Sequence, residues 1–238
     1  MKIFNKIVSF IKWVLILFFG SSILTVFMFK YIPVPCSPLM IIRCYQQVRA
    51  GETIKMKHEW VALEDMSPYL PLAVWASEDQ NFLNHHGFDF SSIKKALEEK
   101  KSKGRVRGAS TISQQTAKNV FLWPNSTWLR KTLEAYFTVL LEFFWDKHRI
   151  MEVYLNTIEM GNGIYGAEAV AQEHFGVSAK DLTRNQCALI AVSLPNPRKF
   201  DSAHPSNYMY RRQSWCLKQM RWLNHFPTRE EVSTKNEN

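Results

Sequence analysis

The chain is short of the residues that build metal or redox centres. Its four cysteines, Cys36, Cys44, Cys187 and Cys216, form no C-x-x-C pair and have no zinc-ligand spacing. Free thiols are expected, although Cys36 and Cys44 lie close enough in sequence to pair in an oxidising compartment. Internal repeats and long low-complexity runs are also missing. Acids are scarce relative to bases: 21 Asp and Glu stand against 30 Lys and Arg, a formal charge of +9. Such an excess points to an anionic partner. No DNA- or RNA-binding signature accompanies it, so a bilayer surface or a phosphate-bearing substrate is expected, and nucleic acid is not. Gly161, Gly163 and Gly166 do not match a phosphate-binding G-x-G-x-x-G after a strand, which argues against a nucleotide site.

What is present begins at the N-terminus. Trp13 to Phe29 contains no charged residue. Extended back to Ile7, with Lys12 snorkelling, the run approaches the ~20 residues that span a bilayer. Lys2, Lys6 and Lys12 precede it, which places the N-terminus in the cytoplasm. Trp13 and Tyr31 flank it as interfacial aromatics would. The run is long for a signal peptide, and KYIPVPCSP offers no small-x-small cleavage site, so an uncleaved anchor is expected. The chain is therefore divided into a cytoplasmic tip and transmembrane anchor (1–31), a membrane-proximal connector holding Pro33, Pro35 and Pro38 (32–60), a main domain (61–230) and a polar tail (231–238).

In the main domain, Ser67-Pro68 reads as a helix start. That helix delivers Glu78 and Asp79 near its C-terminus, where acids oppose the helix dipole. The pair is either solvated or has a task. His85 and His86 are neighbours whose side chains diverge, so a structural hydrogen bond from His85 is expected in place of a metal site. SSIKKALEEKKSKGRVRG reads as a solvated helix and a loop.

GASTISQQTAKN (108–119) carries hydroxyls and amides around one cation, and no acid. Thr111 and Gln114 fit a T-x-x-Q capping box. Thr111, Gln115 and Lys118 share a helix face, and Gln114 lies one turn before Lys118. Such a stripe offers amides and hydroxyls to a sugar and a cation to a phosphate, and the helix N-terminus adds N–H donors for an anion. A capped polar helix with no binding role is the plainer alternative. WLRKTLEAYFTVLLEFFW follows. From Leu133 to Trp145 it is apolar nearly all round, so a helix buried on every side is expected. Glu134, Thr138 and Glu142 fall on one face. A buried carboxylate needs a partner, and Arg130 lies one turn before Glu134. Two acids on separate helices, Glu78 and Glu134, are what chemistry at a glycosidic centre uses. CALIAVSLPNPRKF reads as a buried helix closed by Pro195 and Pro197. The stretch from Ser202, with Arg211, Arg212, Lys218 and Arg221, reads as a basic amphipathic helix with a solvated face.

Taken in order, these segments resemble a known family. SEDQNFLNHHGFD resembles motif one, EDxxFxxHxG, of the peptidoglycan glycosyltransferases, glycosyltransferase family 51. GASTISQQTAKN is similar to motif two, RKTLE to motif three, RIMEVYLNTIEMGNGIYGAEAVAQEHFG to motif four and ALIAVSLPNP to motif five. Together they cover roughly residues 60–200, and no transpeptidase domain follows, as in the monofunctional form. The resemblance implies a mainly α, two-lobed, lysozyme-like glycosyltransferase domain beside the bilayer. It implies polymerisation of lipid II into β-1,4 glycan strands, with inversion and release of undecaprenyl pyrophosphate, at the bacterial inner membrane with the catalytic domain in the periplasm.

Carried over residue by residue, Glu78 matches the general base and Glu134 the second acid. Asp79 would orient Glu78 or its neighbours, and Phe82 and His85 would shape the site. Ser110, Thr111, Gln114, Gln115, Lys118 and Asn119 would contact sugar and pyrophosphate. Arg130 and Lys131 would counter the charge on the leaving group. The resemblance names no protein ligands for a metal but allows a divalent cation, Mg²⁺, at the pyrophosphate, and other cell-wall synthases as partners. Departures from the family pattern are Ala109 for a second glycine, Met151 for leucine and Gln186 for an acid. Two other readings stay open: a membrane-anchored muramidase using the same two acids, and a non-catalytic cell-wall scaffold.

Overall fold

A computed structural model describes residues 2–103, 108 and 110–231. The chain divides into two compact units, Met1–Pro33 and Val34–Asn238. The first unit is the single helix α1 (Lys2–Phe29). Its stretch Ile3–Phe29 is long and apolar enough to cross a membrane. At ~1.5 Å per residue such a helix exceeds a hydrocarbon core of ~30 Å. Its few hydroxyls fold back onto the helix: Ser21 Oγ donates to Phe18 O at 3.2 Å and Thr25 Oγ1 to Ser21 O at 2.8 Å. Phe4, Phe10 and Leu17 stand exposed along it, a surface suited to lipid and costly in water.

The second unit is mostly helical. Its helices are α2 (Pro38–Arg49), α3 (Tyr69–Glu78), α4 (Phe90–Lys103), α5 (Ile112–Phe121), α6 (Trp128–Phe144), α7 (Lys147–Thr157), α8 (Ala167–Phe175), α9 (Arg184–Ser193) and α10 (Asn207–Leu223). Three short strands, β1 (Lys57–His58), β2 (Glu159–Gly161) and β3 (Ile164–Tyr165), form one sheet in the order β1-β3-β2. β1 runs parallel to β3, with Lys57 opposite Ile164 and His58 opposite Tyr165, and β2 is antiparallel to β3.

Two packed groups form the core. α3 lies against α9 and α10, and α5 lies against α6 and α7. α3 is buried from Leu70 to Ala76, and Pro71 sits in its first turn, where a missing N–H costs nothing. α7 is buried from His148 to Thr157, so its polar side chains need partners. Arg149 Nη1 donates to Glu152 Oε2 at 2.9 Å. Asn156 Nδ2 donates to Val61 O at 2.8 Å, and Asn156 Oδ1 accepts from Val61 N at 2.9 Å. These bonds, with an Arg43–Glu159 ion pair at 3.2 Å, build the stretch around residues 38–61 into the same unit as the helices that follow. Gly163, at φ +69°, is required there: a Cβ would stand 2.2 Å from Lys55 O.

Met151 is fully buried, and Gln186 completes a capping box with Thr183 at the start of α9. All four cysteines are free. α6 departs from the expectation of burial on every side. Arg130, Glu134, Phe137, Thr138 and Leu141 are buried, but Val139 is 56% and Phe143 79% exposed. α6 packs on α5 along one face, and its apolar outer face stays uncovered among the described residues. α10 is amphipathic as expected, with Met209, Cys216 and Met220 buried. Its polar face is not simply solvated, because part of it forms the wall of the cleft described next.

Candidate active site

α3 ends at Glu78, and Asp79 is the residue that caps it. Asp79 is buried and fully engaged. His85 Nε2 lies 3.0 Å from Asp79 Oδ2, which also accepts from Ile112 N at 3.1 Å. Gly87 N donates to His85 Nδ1 at 3.1 Å, so the ring proton resides on Nε2 and is donated to Asp79. Asp79 thus ties the end of α3 to the start of α5. Phe82 is fully buried and carries Lys147 Nζ at 4.6 Å from its ring centroid. Lys147 also donates to His85 O at 2.6 Å and Glu142 Oε1 at 2.7 Å. Asp79, Phe82, His85 and Lys147 therefore support the turn that presents Glu78.

Thr111 caps α5. Its Oγ1 accepts from Gln114 N at 3.2 Å and donates to Gly87 O at 2.7 Å, and Gln114 Oε1 accepts from Thr111 N at 3.1 Å. Its hydroxyl proton is thereby committed to the fold, with an acceptor lone pair left over. Further along α5, Gln115 Nε2 donates to Glu78 Oε2 at 2.9 Å, and Tyr154 Oη donates to Gln115 Oε1 at 3.2 Å. On α6, Arg130 Nη1 contacts Glu134 Oε2 at 2.6 Å, and Lys131 Nζ pairs with Glu134 Oε1. Arg130 Nε is buried without a hydrogen-bond partner among the described residues. Lys118 Nζ forms no ion pair among them.

A cavity of about 760 Å³ brings part of this set together; Arg130 and Lys131 are not among its lining residues and reach it only through Glu134. Glu78, Ser110, Gln114, Gln115, Lys118 and Glu134 line it from one side, and Tyr208, Arg212 and Trp215 of α10 from the other. Arg212 stacks on the Trp215 indole at 4.5 Å. A second chamber of about 320 Å³ opens beyond Glu78, sharing Ser110 and Trp215 and reaching Asp79 and Thr111. A third of about 260 Å³ opens beyond Lys118 and takes in Asn119, Arg43 and Glu159. Phe82 and His85 lie behind the wall, and Ala109 lies outside the described residues.

Burial raises the Glu78 carboxyl above the usual carboxylate range, against the opposing pull of the Gln115 hydrogen bond and the Arg212 charge. A base whose affinity for protons moves toward working pH is a stronger one. Burial lowers Lys118 from the ordinary lysine value, in spite of Glu134, and Arg130 and Lys131 push the same way as burial. Among the described residues no group of three His, Cys, Asp or Glu could hold a metal, and both Glu134 oxygens already meet cations.

Tyr154, Arg212 and Trp215 were not singled out for the site by sequence reasoning. For α10 the signal was there: Tyr208, Arg212 and Trp215 recur on one helical face, an aromatic–cation–aromatic stripe. For Tyr154 there was none, since its partner Gln115 is 39 positions away.

Residues 46–221 match the family described as Transglycosylase. A biosynthetic peptidoglycan transglycosylase of Bacteroides thetaiotaomicron is 54% identical over 227 residues, 95% of this chain and 92% of that protein. One from Bdellovibrio bacteriovorus is 51% identical over 209 residues, covering 87% of this chain and 84% of its own. One from Pseudomonas fluorescens is 45% identical over 221 residues, covering 93% and 90%. With its cleft acids, cation cluster and a family match spanning most of its length, this chain belongs to the transglycosylase family and is a glycosyltransferase enzyme.

Proposed function

We propose that the chain is a peptidoglycan glycosyltransferase of cell-wall biosynthesis that polymerises lipid II into β-1,4 glycan strands and releases undecaprenyl pyrophosphate. The observation that carries this reading is the shared cavity. A partly shielded carboxylate, Glu78, borders one space with the cations Lys118 and Arg212 and with Glu134, which carries Arg130 and Lys131 behind the cavity lining. That arrangement suits a reaction in which a hydroxyl loses a proton at one end while a phosphate gains charge at the other.

The step is a single displacement. Glu78 takes the proton of the acceptor sugar's 4-hydroxyl as that oxygen attacks the donor's anomeric carbon. The bond to the pyrophosphate oxygen breaks, and the α-linkage becomes β. Lys118, without an ion-pair partner among the described residues, meets the charge developing on the leaving oxygen, and Arg130 and Lys131, close to Lys118 behind the cavity lining, add to the positive field there. Glu134 holds Arg130 and Lys131 in place and keeps the cluster from repelling itself apart. The acceptor approaches past Glu78 and the donor strand leaves past Lys118, along the two flanking chambers. Both substrates are tethered to a bilayer, and α1 would hold the enzyme to the same surface, N-terminus in the cytoplasm and catalytic unit in the periplasm.

A muramidase built on the same acids would have no use for the cation cluster. The test is polymerisation of labelled lipid II by the full-length protein in detergent, beside Glu78→Gln, with products then digested by a muramidase. Wild type is expected to give long, muramidase-sensitive strands and Glu78→Gln to lose roughly 10²–10⁴-fold in rate. Cleavage of preformed glycan without polymerisation would move the assignment to a hydrolase. Full cellular function of Glu78→Gln would move it to a scaffold.

A further inference from the structure

Gln115 could in principle serve Glu78 in two ways. Its amide can donate N–H to an ionised carboxylate or, turned by 180°, accept O–H from a protonated one. The first favours the charged form and the second the neutral form. Which of them the protein permits decides how readily Glu78 stays ionised.

Tyr154 settles the choice. It is fully buried on α7, and its Oη donates to Gln115 Oε1 at 3.2 Å. No other acceptor for that hydroxyl stands among the described residues. Turning the amide would bring N–H to the phenol oxygen and strand the phenol proton without an acceptor in a buried position, which is costly. Burial, with Glu78 and Asp79 adding to it, holds the phenol well above its ordinary range, so it remains a donor throughout the working pH range.

We propose that Tyr154 is a positioning residue for the base: by occupying the Gln115 carbonyl oxygen it keeps the Gln115 N–H on Glu78 Oε2, favours the ionised carboxylate, and leaves Glu78 Oε1 to take the acceptor's proton. This rests on the reading of Glu78 as general base. Removing the phenol oxygen frees the amide to turn whenever Glu78 is protonated, which stabilises the protonated form. The folded enzyme then needs a higher pH to ionise Glu78. The other groups facing Glu78, namely Asp79 beside it, Lys118 on α5, and Arg212 and Cys216 on α10, are unchanged by that substitution.

The experiment is the pH dependence of kcat/KM for lipid II polymerisation by full-length wild type, Tyr154→Phe, Gln115→Met and the double variant, each checked for cooperative thermal unfolding. Tyr154→Phe is expected to move the acid limb to higher pH. It should lose roughly tenfold in kcat on that limb, recover toward wild type above it, and leave KM little changed. Gln115→Met is expected to move the limb at least as far, and adding Tyr154→Phe to it should move it no further, because the effect passes through the amide. An unmoved limb in Tyr154→Phe, a loss equal at every pH, or a further shift in the double variant would each overturn the proposal. Should Tyr154→Phe not fold, Gln115→Met on the half-buried cleft side decides: an unmoved limb there also overturns it. If Glu78→Gln is inactive while these profiles match wild type, the positioning role alone falls. If Glu78→Gln is active, the reading of the base falls first.

Discussion

Lys118 shows how much a single side chain can report. It reaches the cavity from α5, close to Arg130, Lys131 and Glu134, and burial lowers its pKa from the ordinary lysine value. The sign follows directly. A lysine with a lowered pKa loses its proton at a lower pH than a free one, so this cavity cation disappears early on the alkaline side. Activity is expected to fall on an alkaline limb below the ordinary lysine range. Lys118→Arg should push that limb upward, since a guanidinium stays charged. Lys118→Met should cost roughly 10²-fold or more in kcat at neutral pH. A limb that stays put in Lys118→Arg would assign it to another group. Lys118, Glu78 and Glu134 could be singled out from the sequence because residue type and helical spacing already limit what they can do. Tyr154 could not, because its meaning comes from α7 folding back onto Gln115, which no local pattern encodes. The stripe of Tyr208, Arg212 and Trp215 was legible on α10, but not that it shares a cavity with Glu78.

At the scale of elements, the start of α5 was legible in its cap and illegible in its cost. Thr111 and Gln114 spell a capping box, and the box is formed. The sequence did not show that the Thr111 hydroxyl also donates to Gly87 O, which leaves it only an acceptor lone pair toward the second chamber. Thr111→Val removes both bonds and is expected to destabilise the fold by about 1–2 kcal/mol, read as a lower midpoint in denaturant. The loss should fall on stability first, with KM for lipid II little changed in the folded fraction. The turn between β2 and β3 makes a comparable point about backbone. Gly163 combines φ +69° with the close approach of Lys55 O, so Gly163→Ala meets both left-handed strain and a clash. It is expected to cost more than the ~1 kcal/mol that strain alone exacts, measured by thermal unfolding. Sequence reading saw three closely spaced glycines there, but the Lys55 carbonyl that makes Gly163 necessary, just ahead of β1, arrives from more than a hundred residues upstream.

At the scale of the whole molecule, α6 joins the chemistry to the solvent it works beside. Its apolar pattern suggested burial on all sides because periodicity counts apolar residues without knowing what covers them. The structure gives the helix two opposite jobs. One face holds Glu134, paired with Arg130, toward the cavity, while Val139 and Phe143 stand exposed on the other. An α-helix with its side chains is ~10 Å across, so the cavity-lining Glu134 and its paired cations lie about one helix diameter from that uncovered apolar surface. A substrate whose pyrophosphate sits at a bilayer surface and whose tail stays in lipid is reached best by such a helix, apolar side down. The paired substitution Val139→Ser and Phe143→Ser removes two mainly exposed side chains and, besides the edge contact of Phe143 with Phe144, little packing, so the fold and the rate on detergent-solubilised lipid II should be preserved. On lipid II embedded in vesicles the rate should drop several-fold, because two buried side chains worth of bilayer contact, roughly 1.5–3 kcal/mol each when fully transferred, are lost from the docking equilibrium. Equal rates in both settings would show that α1 alone sets the height of the site above the membrane. A loss in both would place the outer face of α6 in the chemistry and not in the docking.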